Sequence, residues 1–178
     1  QPGRWEAVAA SGWQALAGGA VAIALTTVWL APGLYEELWE KLQRKARYRP
    51  GEPFATVLES RGGVITVTGD GAVFGGGVYD GRLCTSMCPD RNLIIRPYAL
   101  AAVHPCPEEV LLVGLSGGAW AQVLAHHPTV RRLVVVDINP GYLEIVGVHP
   151  EVSSLLRNPK VEIVIDDGRR WLRRNPGE

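Results

Sequence analysis

The sequence predicts an α/β chain: part of a parallel sheet with crossover helices, preceded by a small β-hairpin subdomain and an N-terminal apolar helix. Three observations predict it. From Val110 to Asp137 the chain reads VLLVGLSGGAWAQVLAHHPTVRRLVVVD, an apolar strand, a tight Gly/Ser turn, a helix, and a second apolar strand ending on a carboxylate. From Phe54 to about Ser86, short β-rich runs (FATVLES, GVITVTG, AVFGGGVYDG, RLCTS) are separated by glycines. From Val8 to Tyr35 no residue is charged.

The uncharged stretch comes first. As a helix it would run about 42 Å at 1.5 Å per residue, more than the ~30 Å hydrocarbon core of a bilayer requires. Trp13 and Trp29 lie near the two ends of its apolar part, where membrane interfaces favour indole rings. Lys41, Arg44, Lys45, Arg47 and Arg49 follow it, which places the downstream residues on the cytoplasmic side of a membrane crossed by residues 8–35. A buried Ala/Gly-rich helix is the alternative. Tyr35 to Tyr48 reads as an amphipathic continuation, with Leu38, Trp39 and Leu42 on one side. Arg49-Pro50-Gly51-Glu52-Pro53 breaks the chain and reads as a linker.

In the β-rich stretch, Ile65, Val67 and their alternating threonines have period two, as a half-exposed antiparallel strand should. Gly75-Gly76-Gly77 precedes no helix and reads as a hairpin connection rather than a phosphate loop. Asn92 to His104 predicts a helix that Pro97 kinks or restarts. Then the βαβ pattern begins. Strands are expected at Val110–Val113, Leu133–Val136 and Val161–Ile165. Helices are expected at about Ala119–His126, weakly up to Leu156, and from Arg169 to Arg174. Apolar strands without alternation indicate a parallel sheet covered on both faces, and right-handed crossovers order it as a doubly wound sheet. The organisation expected is 1–49 for the apolar helix and its basic extension, 54–90 for the β subdomain, and 91–178 for part of a nucleoside-binding domain.

Composition bounds the function. The 178 residues carry 18 basic and 18 acidic side chains, so no overall field points to nucleic acid. Three cysteines (Cys84, Cys88, Cys106) with no secretory cleavage site indicate a reduced setting. Cys84 and Cys88 lack the further ligands a zinc site needs, so no metal is expected. The start at Gln1 and the closing Asn175-Pro176-Gly177-Glu178 suggest a piece of a longer polypeptide.

Ligands of open parallel sheets sit outside the carboxyl ends of the strands. Three such ends can be named: Gly114-Leu115-Ser116-Gly117-Gly118, Asp137-Ile138-Asn139-Pro140, and Asp166-Asp167-Gly168. The first turn offers backbone N–H groups and the positive end of the next helix. Asp137, 23 residues beyond Gly114 and close to the ~20 expected of such an acid, suits the two hydroxyls of a ribose, and disfavours a 2′-phosphate. A carboxylate at the third end can accept from an adenine amino group. No Lys–Ser/Thr pair follows the glycines, so this is not a triphosphate-hydrolysing P-loop. The candidate cofactor-binding set is therefore Gly114, Ser116, Gly118, Asp137, Ile138, Asp166, Asp167 and Gly168. Polar caps on β–α turns are the competing explanation for the acids. His126 and His127 read as helix-terminal residues, and Trp120 and Trp171 as packing residues.

These motifs resemble those of the spermidine synthase family, the polyamine aminopropyltransferases, and most closely the versions with a membrane anchor ahead of the synthase-like domain. The resemblance runs from about Phe54 to the end, through Tyr79-Asp80-Gly81, His104-Pro105, the glycine turn, VVDINP and IDDGRRWL. It implies a methyltransferase-like Rossmann fold and transfer of an aminopropyl group from decarboxylated S-adenosylmethionine to an amine such as putrescine. An unprotonated amine would attack the propyl carbon beside the sulfonium, and methylthioadenosine would leave. By resemblance, Gly114, Ser116 and Gly118 line the methionine-derived part and ribose, Asp137 holds the ribose hydroxyls and Asp167 faces the adenine. The chain departs from the family at Ser116 (usually Gly), at Cys84 (where Gln is expected), and at Asn92-Leu93-Ile94, which stand about where the family has an amine-holding Tyr-His-Glu. The family's catalytic Asp follows a fourth strand, so the catalytic residue is unknown here. A methyltransferase using S-adenosylmethionine, and a non-catalytic nucleoside-binding module of a membrane protein, remain open alternatives. The expected partners are a small amine and a membrane, with no nucleic acid, and a homodimer is left open.

Overall fold

The computed structural model describes the backbone of residues 3–177 and the side chains of residues 16–33 and 35–177. Gln1 and Glu178, and the side chain of Trp13, lie outside the described residues. The chain forms two compact units, Gln1–Glu52 and Pro53–Glu178.

The first unit is mostly one helix, α1 (Gly3–Tyr35). Its window Leu16–Gly33 is apolar and long enough to cross a membrane, and none of it is buried against protein. Leu16, Ile23, Val28 and Trp29 are each at least two-thirds exposed. The hydroxyls of Thr26 and Thr27 donate to the carbonyls of Ala22 and Ile23, both at 2.8 Å, so the helix itself satisfies its few polar groups.

The expected amphipathic continuation is interrupted. Glu37 enters the left-handed region (φ 49°) and α2 (Leu38–Arg44) starts afresh after it, followed by a 3₁₀ turn at Lys45–Arg47. The reason is a clasp built on the Glu37 carboxylate, which accepts from the Tyr48 hydroxyl and, at 3.0 Å, from the Gly51 amide. That bond to Glu37 pushes the Tyr48 phenol up to about 12 and holds the Glu37 carboxyl below its usual range. Lys41 donates to the Glu36 carbonyl at 2.6 Å, and Arg44 reaches the Glu52 carbonyl and carboxylate. The Pro-Gly segment is thus folded back on the helix end.

The second unit combines two sheets. β1 (Thr56–Ser60), β2 (Gly63–Val67), β3 (Ala72–Gly75) and β4 (Val78–Arg82) form an antiparallel meander in sequence order. Gly75 pairs with Val78 across a two-residue turn, Gly76-Gly77, whose φ values of 56° and 81° are the pair a type I′ hairpin requires. β4 ends at Arg82, so the expected RLCTS run contributes one residue of strand and then becomes loop. The predicted helix of 92–104 is two short pieces, α3 (Ile95–Tyr98) and α4 (Leu100–Val103); Asn92 and Leu93 stay in a loop, and Pro97 sits inside α3.

β5 (Glu109–Val113), β6 (Arg132–Asp137) and β7 (Val161–Ile165) form the parallel sheet in that order, β6 central and in register with both neighbours. α5 (Ala119–Ala125) follows β5, α6 (Gly141–Val148) and α7 (Pro150–Ser153) follow β6, and α8 (Gly168–Arg174) follows β7. β6 is buried from Leu133 to Asp137 because both its faces are covered. Leu133 and Val135 meet α5, α6 and α7, while Val134 and Val136 pack with Trp171 of α8. Ile65, Val67, Val73 and Leu83 belong to the same cluster as the α5–α7 residues, so the meander shares the larger core. Leu133→Ala, at a fully buried position, should lower unfolding free energy by about 2–5 kcal/mol in urea titration. Val78→Thr, at a position 70% exposed, should stay within about 0.5 kcal/mol of the parent.

Candidate functional site

A cleft of about 330 Å³ lies at the carboxyl end of β5. Its walls are β4 (Tyr79 to Arg82), the loop Arg91 to Leu93, and the segment Leu112 to Trp120 that holds the glycine turn. Helices α5 to α7 lie on one face of the parallel sheet and α8 on the other, so the winding changes face after β7. The cleft thus opens at the carboxyl end of a strand of an open parallel sheet, the side on which ligands of such sheets bind.

The turn is shaped by backbone that few side chains tolerate. Gly114 and Gly118 have φ of 101° and 75°, and Ser116, which is not glycine, has φ 50°. A Cβ on Gly118 would stand 2.9 Å from Val146 Cγ2, so this glycine also allows α5 to approach α6. Two contacts hold the turn in place. The Ser116 hydroxyl donates to the Asp80 carbonyl of β4, and the Leu115 amide donates to the Asp137 carboxylate at 2.6 Å. The other Asp137 oxygen accepts from the Asn139 amide at 2.8 Å.

Of the residues singled out in the sequence, Gly114, Ser116 and Gly118 line the cleft. Asp137 is buried behind the turn, with its carboxylate on two backbone amides. Ile138 is 69% exposed at the end of β6. Asp166, Asp167 and Gly168 stand at the end of β7 and do not line the cleft. Asp167 caps α8 by accepting from the Arg170 amide at 2.9 Å, and Asp166 pairs with Arg170 and, at 3.7 Å, with Arg174. Arg170 holds the Asp166 carboxyl below its usual range. The start of α8 nevertheless comes against the end of β5, since a Cβ on Gly168 would come within 2.7 Å of Val113 Cγ1. His126 and His127 bond locally, to the Gln122 carbonyl and to Thr129, away from the cleft.

Other wall residues were not among the candidates. Asp80 accepts from the hydroxyl of Tyr142, a buried α6 residue. The hydroxyl comes so close to the hairpin that a Cβ on Gly75 would stand 2.3 Å from it. Burial raises the Asp80 carboxyl, the Asp137 charge raises it further, and the Tyr142 bond opposes both. Burial and Asp80 together push the Tyr142 phenol up. Asn92 is buried, bonding the Arg82 amide and carbonyl, both at 2.9 Å, and its own carbonyl accepts from the Trp120 indole at 3.0 Å. The Tyr79-Asp80-Gly81 motif was legible in sequence; its Tyr142 partner, 62 residues on, carried no signal.

No family model matches the chain. Curated proteins do. The polyamine aminopropyltransferase 2 of Hyperthermus butylicus is 30% identical over 100 residues, 53% of this chain and 32% of that protein. The polyamine aminopropyltransferase 2 of Pseudomonas aeruginosa is 33% identical over 87 residues, 48% of this chain and 24% of that protein. The Streptococcus uberis polyamine aminopropyltransferase is 37% identical over 73 residues, 40% and 26% respectively. The chain thus spans about a third or less of the length of the relatives it matches. Spermidine synthase from Thermotoga maritima superposes with a TM-score of 0.55 at 19% identity, covering 68% of this chain and 43% of that one. A spermidine synthase in complex with the transition state analogue AdoDATO superposes equally well, with 19% identity and 68% and 42% coverage. The likeness establishes the fold: a spermidine-synthase-like α/β arrangement of hairpin meander and parallel sheet.

The raised Asp80 carboxyl has a consequence for stability. A folded-state value above the unfolded one favours the protonated form, so Asp80 supports the fold below pH ~4 and loses that support as pH rises through its folded value. The stability of Asp80→Asn relative to the parent should therefore increase from pH 3 to pH 7 in urea titrations. A difference that stays flat across that range contradicts it.

Proposed function

We propose that this chain carries the nucleoside-binding part of an aminopropyltransferase-like enzyme that uses decarboxylated S-adenosylmethionine and a small amine. The observation that carries the reading is the cleft at the carboxyl end of β5, walled by the glycine turn and the β4 hairpin, in a fold shared with spermidine synthase. The similarity to polyamine aminopropyltransferases over 40–53% of the chain supports it.

In this reading the backbone of Gly114, Ser116 and Gly118 lies along the methionine-derived part and ribose. Asp137 keeps its two amide bonds and still has acceptor capacity, since the two carboxyl oxygens carry more lone pairs than those bonds use. The ribose hydroxyls take up that capacity. The exposed side chains of Val113 and Ile138, 58% and 69% accessible, offer apolar surface at the strand ends for the adenine, with Asp166, Asp167 and Gly168 beside it. The cofactor supplies an electrophilic propyl carbon next to sulfur. The amine nitrogen bonds to that carbon as the carbon–sulfur bond breaks, methylthioadenosine departs, and the amine proton passes to a base not assigned to any residue of this chain.

The same proposal places Leu16–Gly33 across a membrane, with Lys41, Arg44, Lys45, Arg47 and Arg49 on the cytoplasmic side. A homodimer is compatible with this reading, and nothing in the argument depends on it.

Calorimetric titration with decarboxylated S-adenosylmethionine and with NAD tests the nucleoside reading. The first should bind at least 10-fold more tightly, and Asp137→Asn should weaken it about 10-fold, or ~1.4 kcal/mol. Tight binding of NAD alone overturns it. The membrane reading predicts that the chain stays in the pellet through alkaline carbonate washing of membranes; release into the supernatant contradicts it.

A further inference from the structure

Three charged residues line the cleft: Asp80, Arg82 and Arg91. Two of them are already engaged. Arg82 pairs with Asp70 at 2.8 Å and also donates to the Asp70 carbonyl. Asp80 accepts from Tyr142 but retains open acceptor sites. Arg91 makes no side-chain hydrogen bond or ion pair among the described residues.

The backbone that carries Arg91 is nevertheless held in place. On one side, Asp90 accepts from the amides of Asn92, Ile94 and Ile95 at 2.8–3.1 Å. On the other, Asn92 is fastened to β4, and Leu93 follows with φ 52°, a left-handed conformation that leucine rarely adopts. The Arg91 carbonyl also lies 3.4 Å from the Tyr79 hydroxyl. This fixed backbone keeps Arg91, itself an exposed residue, on the cleft wall, within reach of a ligand there.

A diamine would bring two ammonium groups to this cleft. Each needs an acidic or carbonyl partner on desolvation, and an unpaired arginine opposes them. A ligand with one ammonium and one carboxylate fits the charges better, the ammonium on Asp80 and the carboxylate in the planar fork of Arg91. Resting on the nucleoside-binding reading above, we propose that the cleft takes an amine that also bears a carboxylate, with Arg91 as its recognition residue. That chemistry has two sources: an amino-acid-like acceptor, which leaves the decarboxylated cofactor proposed above in place, or the amino-acid end of S-adenosylmethionine that has not been decarboxylated, which would replace that cofactor while keeping the nucleoside-binding reading.

Calorimetry on the full chain and on Arg91→Gln separates them in three titrations. Methylthioadenosine, which has neither charged group, comes first. If it does not bind, the nucleoside reading fails and takes this proposal with it. If it binds, 4-aminobutyrate and putrescine are compared in its saturating presence, since they have the same length and differ at one end. Separately, S-adenosylmethionine is compared with its decarboxylated form. The proposal expects at least a 10-fold preference for the carboxylate-bearing member of one pair, and loss of that preference in Arg91→Gln with methylthioadenosine affinity unchanged. The pair that shows it identifies the source. Preference for putrescine and for the decarboxylated nucleoside, or a preference that survives Arg91→Gln, overturns the proposal while leaving the nucleoside reading standing.

Discussion

The bond from the Leu115 amide to the Asp137 carboxylate fixes the geometry around which the second unit is arranged. The turn after β5 runs through left-handed backbone at Gly114, Ser116 and Gly118, a path that local hydrogen bonding alone does not enforce. The neighbouring strand delivers a buried acceptor to its centre. One carboxylate thereby ties the end of β5 to the start of α6 through Asn139, and keeps the amides of the turn at the mouth of the sheet. Removing the Asp137 carboxylate leaves the Leu115 amide unmatched, which is more costly than the bond is favourable.

The second wall of the cleft depends on long-range packing. β4 is an exposed edge strand whose position over the turn is set by its contacts: the Ser116 hydroxyl on the Asp80 carbonyl, the Tyr142 hydroxyl on the Asp80 carboxylate, and Asn92 on the Arg82 backbone. Beneath them, Val73 and Leu83 join the core that α5 and α6 share. The meander and the parallel sheet thus form one body, and the cleft lies along their seam.

Much of this was legible in the sequence. Period-two alternation marked β2, although the strand is not half-exposed as expected, since Thr66 is buried along with Ile65 and Val67 where the meander joins the core; the triple glycine marked the β3–β4 hairpin. Apolar runs marked the three parallel strands, but the expected cover on both faces holds only for the central β6; β5 and β7 are partly exposed, and Glu162 interrupts β7. Val161–Ile165 was placed without error, and the helices after β5 and β7 to within a residue or so. The break at Glu37 was not visible, because its cause is a carboxylate reaching a hydroxyl 11 residues on. Residues 92–94 were expected to be helical from local composition. They are a loop because Asn92 and Asp90 spend their side chains on backbone groups of neighbouring segments.

By itself, the sequence determined most of the strands and helices and which strand end carries the glycine turn at the cleft, since these follow from hydrophobic periodicity and from glycines at positions requiring special backbone. It also marked the acids at the ends of β6 and β7. Only the tertiary structure decided what those acids do: Asp137 holds the turn and Asp167 caps a helix. It alone brought Asp80 to Tyr142 and set Arg91 in the cleft wall. Those outcomes depend on which segments meet in three dimensions, and contacts between residues tens of positions apart leave no periodic trace in a single chain.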